Sequence, residues 1–303
     1  MFEFSGLSDD KELMPFFFMF FLLVYMVTII GNLGMVAIVY AFSSLHTPMY
    51  FFLSSLSLVD LFYSSVITPN MLFNFFSARK SISFLGCALQ LYFFCALAST
   101  EIILLSTMSY DRYVAICHPL HYTLIMTKKK CFGLVLFFTS LSFLQSIAHV
   151  CCVFSLPFCG SNFIDHFYCD IPPLLKLSCS TNSLRCNMIT GILVSAYAIY
   201  ILMAIFLSYT FIFISIFKMT SAKGRQKAFS TCSSHIICVL TFFTAIFFTY
   251  LRPHSGAFEI QDKVASIFYT TMTPMLNPLI YSLRNQEVKR ILVQAMQKSR
   301  WFR

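Results

Sequence analysis

The stretch Met108–Tyr122 reads MSYDRYVAICHPLHY and is the most informative part of this 303-residue chain. An acid, an arginine and an aromatic, Asp111-Arg112-Tyr113, stand at the end of a long apolar segment, and a loop that contains Pro119 follows. Charged side chains at membrane depth are costly unless they face protein or the aqueous boundary. An isolated triplet of this kind would indicate only an interfacial charge cluster that ends a membrane helix. Other features of the chain are needed to indicate whether this triplet has a further function.

The composition indicates a membrane protein. Hydrophobic residues make up 58% of the chain and charged residues 11%, whereas a soluble domain has about 25% charged residues. A helix needs about 20 apolar residues to cross a bilayer. Because the connections between the apolar segments are short, we predict an all-α fold, a seven-transmembrane-helix bundle in a single domain, 1–303. The seven predicted spans are Met14–Ala41, Tyr50–Leu72, Cys87–Tyr110, Cys131–Leu156, Met188–Phe217, Ala228–Tyr250 and Val264–Leu283.

The net charge of +9 reflects basic residues that are concentrated on one predicted side of the membrane, and it does not indicate a nucleic-acid partner. With the N-terminus outside, 14 of the 21 Lys and Arg residues fall on the inner side, and such an excess sets orientation. We therefore predict an extracellular tail over 1–13 and a cytoplasmic tail over 284–303. Residues Met1–Lys11 lack the layout of a cleavable signal, so the first span is expected to act as its own signal.

The 12 cysteines separate by membrane side. Cys87, Cys159, Cys169 and Cys179 fall outside on this topology, in an oxidising space where disulfides persist. Four cysteines allow three pairings. The remaining cysteines are expected to be free, small apolar residues in or beside the helices.

Three further strings occur in order along the chain: LHTPMYFFL at 45–53, KAFSTCSSH at 227–235 and PMLNPLIYSLRN at 274–285. Together with the stretch at 108–122, they resemble the odorant receptors, a branch of the rhodopsin-like G-protein-coupled receptors. An Asn-Pro-x-x-Tyr motif alone would be weak evidence, but these strings have the order and spacing of that family. The resemblance touches most of the chain.

The resemblance implies a plasma-membrane receptor that contacts membrane lipids and is not an enzyme. Such a receptor would bind a small, uncharged, mostly apolar volatile odorant within the bundle. It would activate a stimulatory G protein of the olfactory type and raise cyclic AMP. The resemblance also implies the disulfides Cys87–Cys169 and Cys159–Cys179.

Signal output is expected at the inner end of the bundle. By resemblance, Asp111 restrains Arg112 at rest, and Arg112 then lines the cleft that the G protein enters. Pro278 removes a backbone donor and permits a kink. Tyrosines at such positions can also be ordinary interface aromatics. The predicted switch residues are Asp111, Arg112, Tyr113, Tyr209, Asn277, Pro278 and Tyr281.

The chain beyond the seventh span has a helical pattern of its own. Val288, Ile291, Leu292, Ala295 and Met296 recur at helical spacing, with basic residues on the other faces. This pattern indicates a short amphipathic C-terminal helix on the inner leaflet. A plain polybasic tail is the alternative.

Two acids, Asp60 and Glu101, lie inside predicted spans. Buried ionisable groups in a membrane usually face the bundle interior, paired or next to water. They could be a protonated, hydrogen-bonded pair that holds helices together. The resemblance implies instead a cation or proton site, with sodium held by Asp60, Glu101, Asn32 and Asn277 and favouring the resting packing. No other cofactor is expected.

The ligand site is predicted from helix faces. Residues three and four apart on the third span share one face, and the resemblance implies that ligands bind against it. An apolar stripe is also typical of plain helix packing. The lining has no acid for an amine ligand, since Phe94 takes that position, and Thr271 takes the position of a retinal-binding lysine. The predicted ligand-binding residues are Phe94, Cys95, Ala98, Ser99, Ile102, Leu193, Val194, Tyr197, Phe243, Ile246, Phe247, Tyr250, Ile267 and Thr270.

A carrier and an intramembrane hydrolase are two other functions that a membrane protein with several spans can have. A proton- or sodium-coupled carrier could use Asp60 and Glu101, but it would show an inverted repeat or a second polar helix. An intramembrane hydrolase would need a Gly-x-Gly-Asp, His-Glu-x-x-His or serine-elbow motif. The sequence has neither kind of feature.

Overall fold

A computed structural model describes residues 1–7, 10, 12–77, 79–159, 161–246, 259–284 and 288–291. Long helices follow one another in the order that the apolar segments predict. A π-helical turn at Phe268–Met272 joins the last two helices into one continuous seventh span. The helices are α1 (Met14–Ala41), α2 (Pro48–Phe76), α3 (Phe84–Cys117), α4 (Tyr122–Ile125), α5 (Lys128–Phe154), α6 (Ile171–Lys176), α7 (Ser183–Lys218), α8 (Ala222–Ile246), α9 (Glu259–Ile267) and α10 (Thr273–Arg284).

Five of the described helices, α1, α2, α3, α5 and α7, are long and apolar enough to cross a membrane. Large rings such as Phe16 and Phe137 are exposed on their outer surfaces. A helix that is apolar all round suits a membrane, because each backbone N–H and C=O is satisfied within the helix. The sixth predicted span is α8, and its predicted end at 247–250 lies outside the described residues.

The first and seventh spans approach closely at Gly31. A Cβ at this position would lie 3.2 Å from Cγ of Pro278 in α10. Pro278 has no N–H to donate to the carbonyl of Pro274, one turn before it. Asn32 supplies the missing donor, since its Nδ2 lies 3.0 Å from that carbonyl oxygen. Gly31 therefore allows the two helices to approach closely, and Asn32 satisfies the carbonyl that Pro278 leaves without its helical donor.

The end of the bundle that we predict to be extracellular is here called the outer end, and the opposite end is called the inner end. The outer end carries a small sheet that the sequence did not predict. Strand β1 (Phe2–Phe4) lies between β2 (Ser81–Ile82) and β3 (Phe163–Ile164). It pairs Phe2 with Ile82 in antiparallel register and Phe4 with Ile164 in parallel register. Phe2 and Phe4 are buried, and Glu3 between them is exposed. The start of the outer tail is therefore packed into the cap of the bundle.

Three disulfides hold the outer end. Cys87–Cys169 joins α3 to the long outer loop, and Cys159–Cys179 closes within that loop, the two pairs that the resemblance implies. The expectation that the other cysteines are free is wrong for Cys152 and Cys186, which join α5 to α7. From the sequence, these two cysteines are expected to be free, small apolar residues in or beside the helices. They lie instead at the outer ends of neighbouring helices, with Cα atoms 5.9 Å apart, a separation that a disulfide spans.

Beyond Arg284, the last residue of α10, the predicted inner tail is described only at 288–291, which are helical. Val288 and Ile291 are buried there, while Lys289 and Arg290 are exposed. This alternation agrees with the amphipathic pattern predicted for the tail. The predicted helix residues Leu292, Ala295 and Met296 lie outside the described part of the chain.

Candidate functional site

Two buried carboxylates, Asp60 of α2 and Glu101 of α3, meet at one amide group of α10. Nδ2 of Asn277 donates to Oδ2 of Asp60 and to Oε1 of Glu101, at 3.0 Å each. Both acids have no exposed surface. An amide NH₂ has two hydrogens to donate, so Asn277 satisfies one oxygen of each carboxylate and ties three helices together.

Three oxygen atoms near this junction are buried without a hydrogen-bond partner among the described residues: Oδ1 of Asp60, Oε2 of Glu101 and Oδ1 of Asn32. Asn32 does not bond either acid, because its amide donates to the carbonyls of Thr28 and Pro274. Buried unpaired polar atoms are costly, and carboxylate and amide oxygens are the ligands that hard cations take. The residues fit a small hard cation, and two close acids also fit a shared proton.

The outer half of α3 faces a cluster of tyrosines. The ring of Phe94 lies 5.7 Å from that of Tyr63, 5.3 Å from Tyr168 and 5.9 Å from Tyr269, between centroids. Aromatic pairs attract at such separations. Tyr168 belongs to the long outer loop, so the loop enters the bundle and packs on the predicted ligand face.

Asp170 holds this tyrosine cluster from the loop side. Its Oδ2 accepts hydrogen bonds from the hydroxyls of Tyr168 at 2.9 Å and Tyr269 at 3.4 Å. Its Oδ1 accepts one from the backbone N–H of Ile171 at 2.7 Å. Burial, and then the charge of Asp170, raise the pKa of Tyr168 well above its usual value. Tyr168 is therefore neutral and donates a hydrogen bond, and the carboxylate of Asp170 is already occupied by hydrogen bonds.

Sequence reasoning did not find this tyrosine cluster. The periodicity of α3 predicts the face of Phe94 but not which side chains cover it. One signal was available: Asp170 follows Cys169, and a bridge to Cys87 brings the loop to the outer end of α3. The residues missed are Tyr63, Tyr168, Asp170 and Tyr269.

The predicted ligand residues spread over several environments in the described chain. Tyr197 of α7 reaches α3, where its hydroxyl donates to the carbonyl oxygen of Ser99 at 3.0 Å. Thr270 turns its hydroxyl to the carbonyl of Ser266 in its own helix. Phe94, Ile102 and Thr270 are buried, Leu193 is exposed, Phe247 and Tyr250 lie outside the described residues, and the intermediate ones are Cys95, Ala98, Ser99, Val194, Tyr197, Phe243, Ile246 and Ile267.

A cavity of about 550 Å³ lies beside this region, between the loop helix α6, the outer part of α7 and Ile246 at the end of α8. Its volume is within the range of about 300–1,000 Å³ typical of small-molecule sites. Val194 and Ile246 are the members of the predicted ligand set that line it. Other lining residues include Leu175, Thr190, Ser195, Ala198 and, from α6, Lys176.

At the inner end of α3, Asp111 is hydrogen-bonded to Tyr122, the first residue of α4. The hydroxyl of Tyr122 donates to Oδ1 of Asp111 at 2.8 Å, and Tyr113 pairs with His118 at 3.1 Å. Nη2 of Arg112 is buried with no hydrogen-bond partner among the described residues. The resemblance implied that Asp111 restrains Arg112, whereas the hydrogen bond found at Asp111 comes from Tyr122.

Tyr209 of α7 is bonded across the bundle to α8. Its hydroxyl lies 2.7 Å from Nδ1 of His235, and Nε2 of His235 lies 2.9 Å from the carbonyl oxygen of Leu105 in α3. A carbonyl can only accept, so Nε2 carries a proton, and in the neutral imidazole Nδ1 then accepts from the hydroxyl of Tyr209. His235 therefore links three helices next to Arg112, a role that the sequence did not reveal. Tyr281 of α10 is buried nearby, in the same apolar core as Tyr209.

Comparisons with known proteins agree with this geometry. A family model described as "Olfactory receptor" matches residues 21–299. The chain is 48% identical to olfactory receptor 5F1 of Homo sapiens over 295 residues, covering 97% of this chain and 94% of that protein. It is 52% identical to olfactory receptor 5AP2 of Mus musculus over 289 residues, covering 94% and 90%.

The fold is also similar to a solved structure. Squid rhodopsin superposes with a TM-score of 0.74 at 16% identity, over 96% of this chain and 87% of that one. At this identity the likeness concerns the fold alone. It confirms the seven-helix bundle predicted from the apolar segments.

Proposed function

Because this chain belongs to the olfactory receptor family, we propose that it binds a small, uncharged, mostly apolar volatile molecule in the outer half of its helix bundle. Family membership makes it a membrane receptor for odorants that couples to a G protein, and not an enzyme. The further proposal is that the G protein is the stimulatory olfactory type, so that agonists raise cyclic AMP.

The aromatic surroundings of Phe94 are the observation that carries the ligand proposal. Around this ring stand the aromatic faces of Tyr63, Tyr168 and Tyr269. The nearby acid, Asp170, accepts hydrogen bonds from two of these tyrosines. A cationic ligand would therefore have to compete with existing donors for that carboxylate, whereas an apolar ligand with one oxygen needs only a hydroxyl and ring faces.

The inner end supports G-protein coupling through Arg112. Its buried Nη2 lacks a hydrogen-bond partner in the described chain, and Tyr209 beside it is held by His235. We propose that activation separates α8 from α3, frees Tyr209, and lets Tyr209 and Tyr281 satisfy the guanidinium. Arg112 would then line the cleft that receives the G protein.

We propose that an ion bound between Asp60 and Glu101, the acid junction, favours the resting packing over this activated arrangement. Asp60, Glu101, Asn277 and Asn32 would hold sodium. Its first ligands would be the oxygens of Asp60, Glu101 and Asn32 that lack a hydrogen-bond partner among the described residues. A cation there would supply positive charge that draws the three helices together. A proton shared by Asp60 and Glu101 would serve the same purpose.

The proposed location is the plasma membrane, with the N-terminus outside. The disulfides and the small sheet lie at one end of the bundle. Arg112 and the lysine run at 128–130 lie at the other end. Disulfides belong in an oxidising space and excess lysine belongs inside, so both features support this orientation.

A reporter-cell screen tests the proposal. The chain is expressed with an outer epitope tag, and cyclic AMP is recorded against a broad panel of neutral odorants and amines. We expect responses to some neutral odorants, and we expect Arg112→Glu to abolish them at equal surface staining. Full agonist response in Arg112→Glu, or responses confined to amines, would contradict the proposal.

A further inference from the structure

A second cavity, of about 440 Å³, lies at the inner end of the bundle between α1, the loop after it, α2 and the start of α5. None of the predicted ligand, switch or cation residues lines it. Two of its walls are open to the outside of the bundle, since Tyr40 and Phe132 are 86% and 61% exposed. Most of its lining is apolar, including Val36, Val39, Leu45 and Phe51. The cavity is therefore a groove that faces the bilayer, here called the inner groove.

The rim of the inner groove is polar and basic. Lys128, the first residue of α5, lines it together with His46, Thr47 and Ser54. Lys128 is exposed, and within the described chain it has no ion-pair partner. Positive charge is unfavourable at a helix N-terminus, so helix stability does not explain a lysine there. The groove thus combines an apolar trough with an unpaired cation at its inner edge.

We propose that the inner groove binds an anionic phospholipid of the cytoplasmic leaflet. One acyl chain lies in the apolar trough, and the phosphate group lies at Lys128. Anionic lipids are concentrated in that leaflet and attract basic side chains near its surface. Lys128 is the first residue of α5, a helix long enough to cross a membrane, so the rim of the groove lies at a membrane-facing end of that helix.

Membrane orientation alone would not single out Lys128. The positive-inside rule treats Lys128, Lys129 and Lys130 alike, and all three are exposed. Of these three, Lys128 lines the groove. Lys129 therefore offers a matched control with the same charge, on the same helical turn.

The test uses tryptophan quenching by brominated lipids on the full chain in nanodiscs. Trp301 is the one tryptophan of the chain, so a Trp301→Phe background leaves room for a reporter. Phe132→Trp places the reporter in the groove wall. Phe137→Trp places it at an exposed, lipid-facing site on the same helix, where it reports ordinary surrounding lipid. Brominated phosphatidylserine, phosphatidylcholine and a brominated sterol are compared at equal mole fraction.

We expect phosphatidylserine to quench the groove reporter at a lower mole fraction than phosphatidylcholine, and the Phe137→Trp reporter to show no such preference. Lys128→Gln should reduce the preference about fivefold, because one basic residue contributes about that factor in anionic-lipid affinity. Lys129→Gln should leave it unchanged. Val36→Phe should fill the trough and reduce quenching of the groove reporter by all acyl lipids.

Three results would overturn the proposal. One is equal phosphatidylserine preference at both reporters, which would indicate a general surface effect. Another is an equal loss with Lys128→Gln and Lys129→Gln. The third is stronger quenching by the sterol than by phosphatidylserine, which would assign the groove to a neutral lipid.

Discussion

Asp60 and Glu101 show at the scale of single residues how a membrane protein keeps two acids in its interior. One amide of Asn277 satisfies half of each carboxylate, and the other oxygens remain without partners in the described chain. A ligand that binds only the folded state stabilises it, by about 1.4 kcal/mol when its concentration is ten times the dissociation constant. Sodium should therefore raise the unfolding temperature of the purified receptor above its value in potassium at the same ionic strength.

Asp60→Asn and Glu101→Gln should remove this sodium effect and change basal activity. Glu3→Gln, an exposed acid of the outer sheet, should keep it and serves as the control. The measurement is thermal unfolding across sodium titrations. Variants that match the parent throughout would leave the two acids as structural contacts between helices.

His166 gives a pH dependence to the outer loop. Burial, and then repulsion from Lys263, lower its pKa to about 3, from about 6.5 in an unfolded chain. The unfolded state therefore takes up a proton first as the pH falls. The contribution of His166 to the stability of the native state is therefore full above about pH 6.5 and decreases below it, by about 1.4 kcal/mol at pH 5.5.

Substitution of His166 by Gln should remove this part of the pH dependence. The free energy of unfolding is compared at pH 7.5 and pH 5.5 for the parent, His166→Gln and His121→Gln. His121 is exposed in an inner loop, so its variant should behave as the parent does. An equal drop in parent and His166→Gln would mean that other groups carry the effect.

Residue types in the sequence predicted that two acids are buried in the bundle but not which atoms they contact. Acids in an apolar segment had to be buried and partnered, and Asp60 and Glu101 are. The contacts Tyr122 to Asp111 and Tyr209 to His235 join residues 11 and 26 positions apart. No periodicity of one helix reports such contacts, because they depend on how different elements are placed in space.

At the scale of elements, the contact of α1 with α10 depends on the missing side chain of Gly31. A Cβ there would lie 3.2 Å from Pro278, so a large side chain must push the helices apart. Overpacking of this kind typically costs about 1–3 kcal/mol. We expect Gly31→Leu to lower thermal stability and surface expression strongly, and Gly31→Ala to have a smaller effect.

Gly34 provides the control on the same helix. A Cβ at Gly34 would meet no atom within 4 Å, so Gly34→Ala should be neutral or slightly stabilising. Surface staining and thermal unfolding of the three variants give the comparison. A Gly31→Leu receptor as stable as Gly34→Ala would show that the two spans are not in close contact.

The outer loop is held to α3 by a covalent and a polar contact. Beside the bridge Cys87–Cys169, the side chain of Gln90 accepts from the N–H of Cys169 at 3.0 Å and donates to the carbonyl of Val66 at 3.1 Å. A disulfide that closes a loop contributes about 2–4 kcal/mol. Cys87→Ser or Cys169→Ser should therefore abolish surface expression or response.

Cys131→Ser should be mild by comparison, because Cys131 is a free, buried thiol of α5. Cell-surface staining and cyclic AMP response are read for each variant. Peptide mapping without reduction gives a direct check. A free thiol at Cys87 in the folded receptor would refute the role of this bridge.

The membrane helices were predictable, because the length of an apolar segment alone is enough to indicate them. Apolar runs of about 20 residues have few alternatives to a membrane helix, and the seven spans followed. The strand Phe2–Phe4 was not predictable, because three residues have no detectable period and pair only with distant loops. The bridge Cys152–Cys186 was missed for a similar reason, since it depends on two helix ends that are 34 residues apart in sequence.

At the scale of the whole molecule, two apolar cores divide the bundle. The outer core contains Phe94, Tyr168 and Tyr269, and the inner core contains Tyr209 and Tyr281. The acid junction of Asp60, Glu101 and Asn277 joins the helices of both. If the odorant binds at the outer core and the G protein at the inner end, as proposed, these shared helices connect the two sites, and a change in their packing is the expected route of the signal.

Ligand affinity should be modest and set by shape. A volatile of about ten heavy atoms, at roughly 0.4–0.6 kcal/mol per atom, gains about 4–6 kcal/mol, which corresponds to dissociation constants from about a millimolar to tens of micromolar. Ala98 and Ser99 are both partly buried on the predicted face of α3. Ala98→Phe should therefore weaken bulky agonists more than slim ones, and Ser99→Ala should weaken oxygenated ligands more than hydrocarbons. Dose–response curves for cyclic AMP measure both effects, and curves that neither substitution shifts would place the ligand site elsewhere, with the cavity beside α7 as the first alternative.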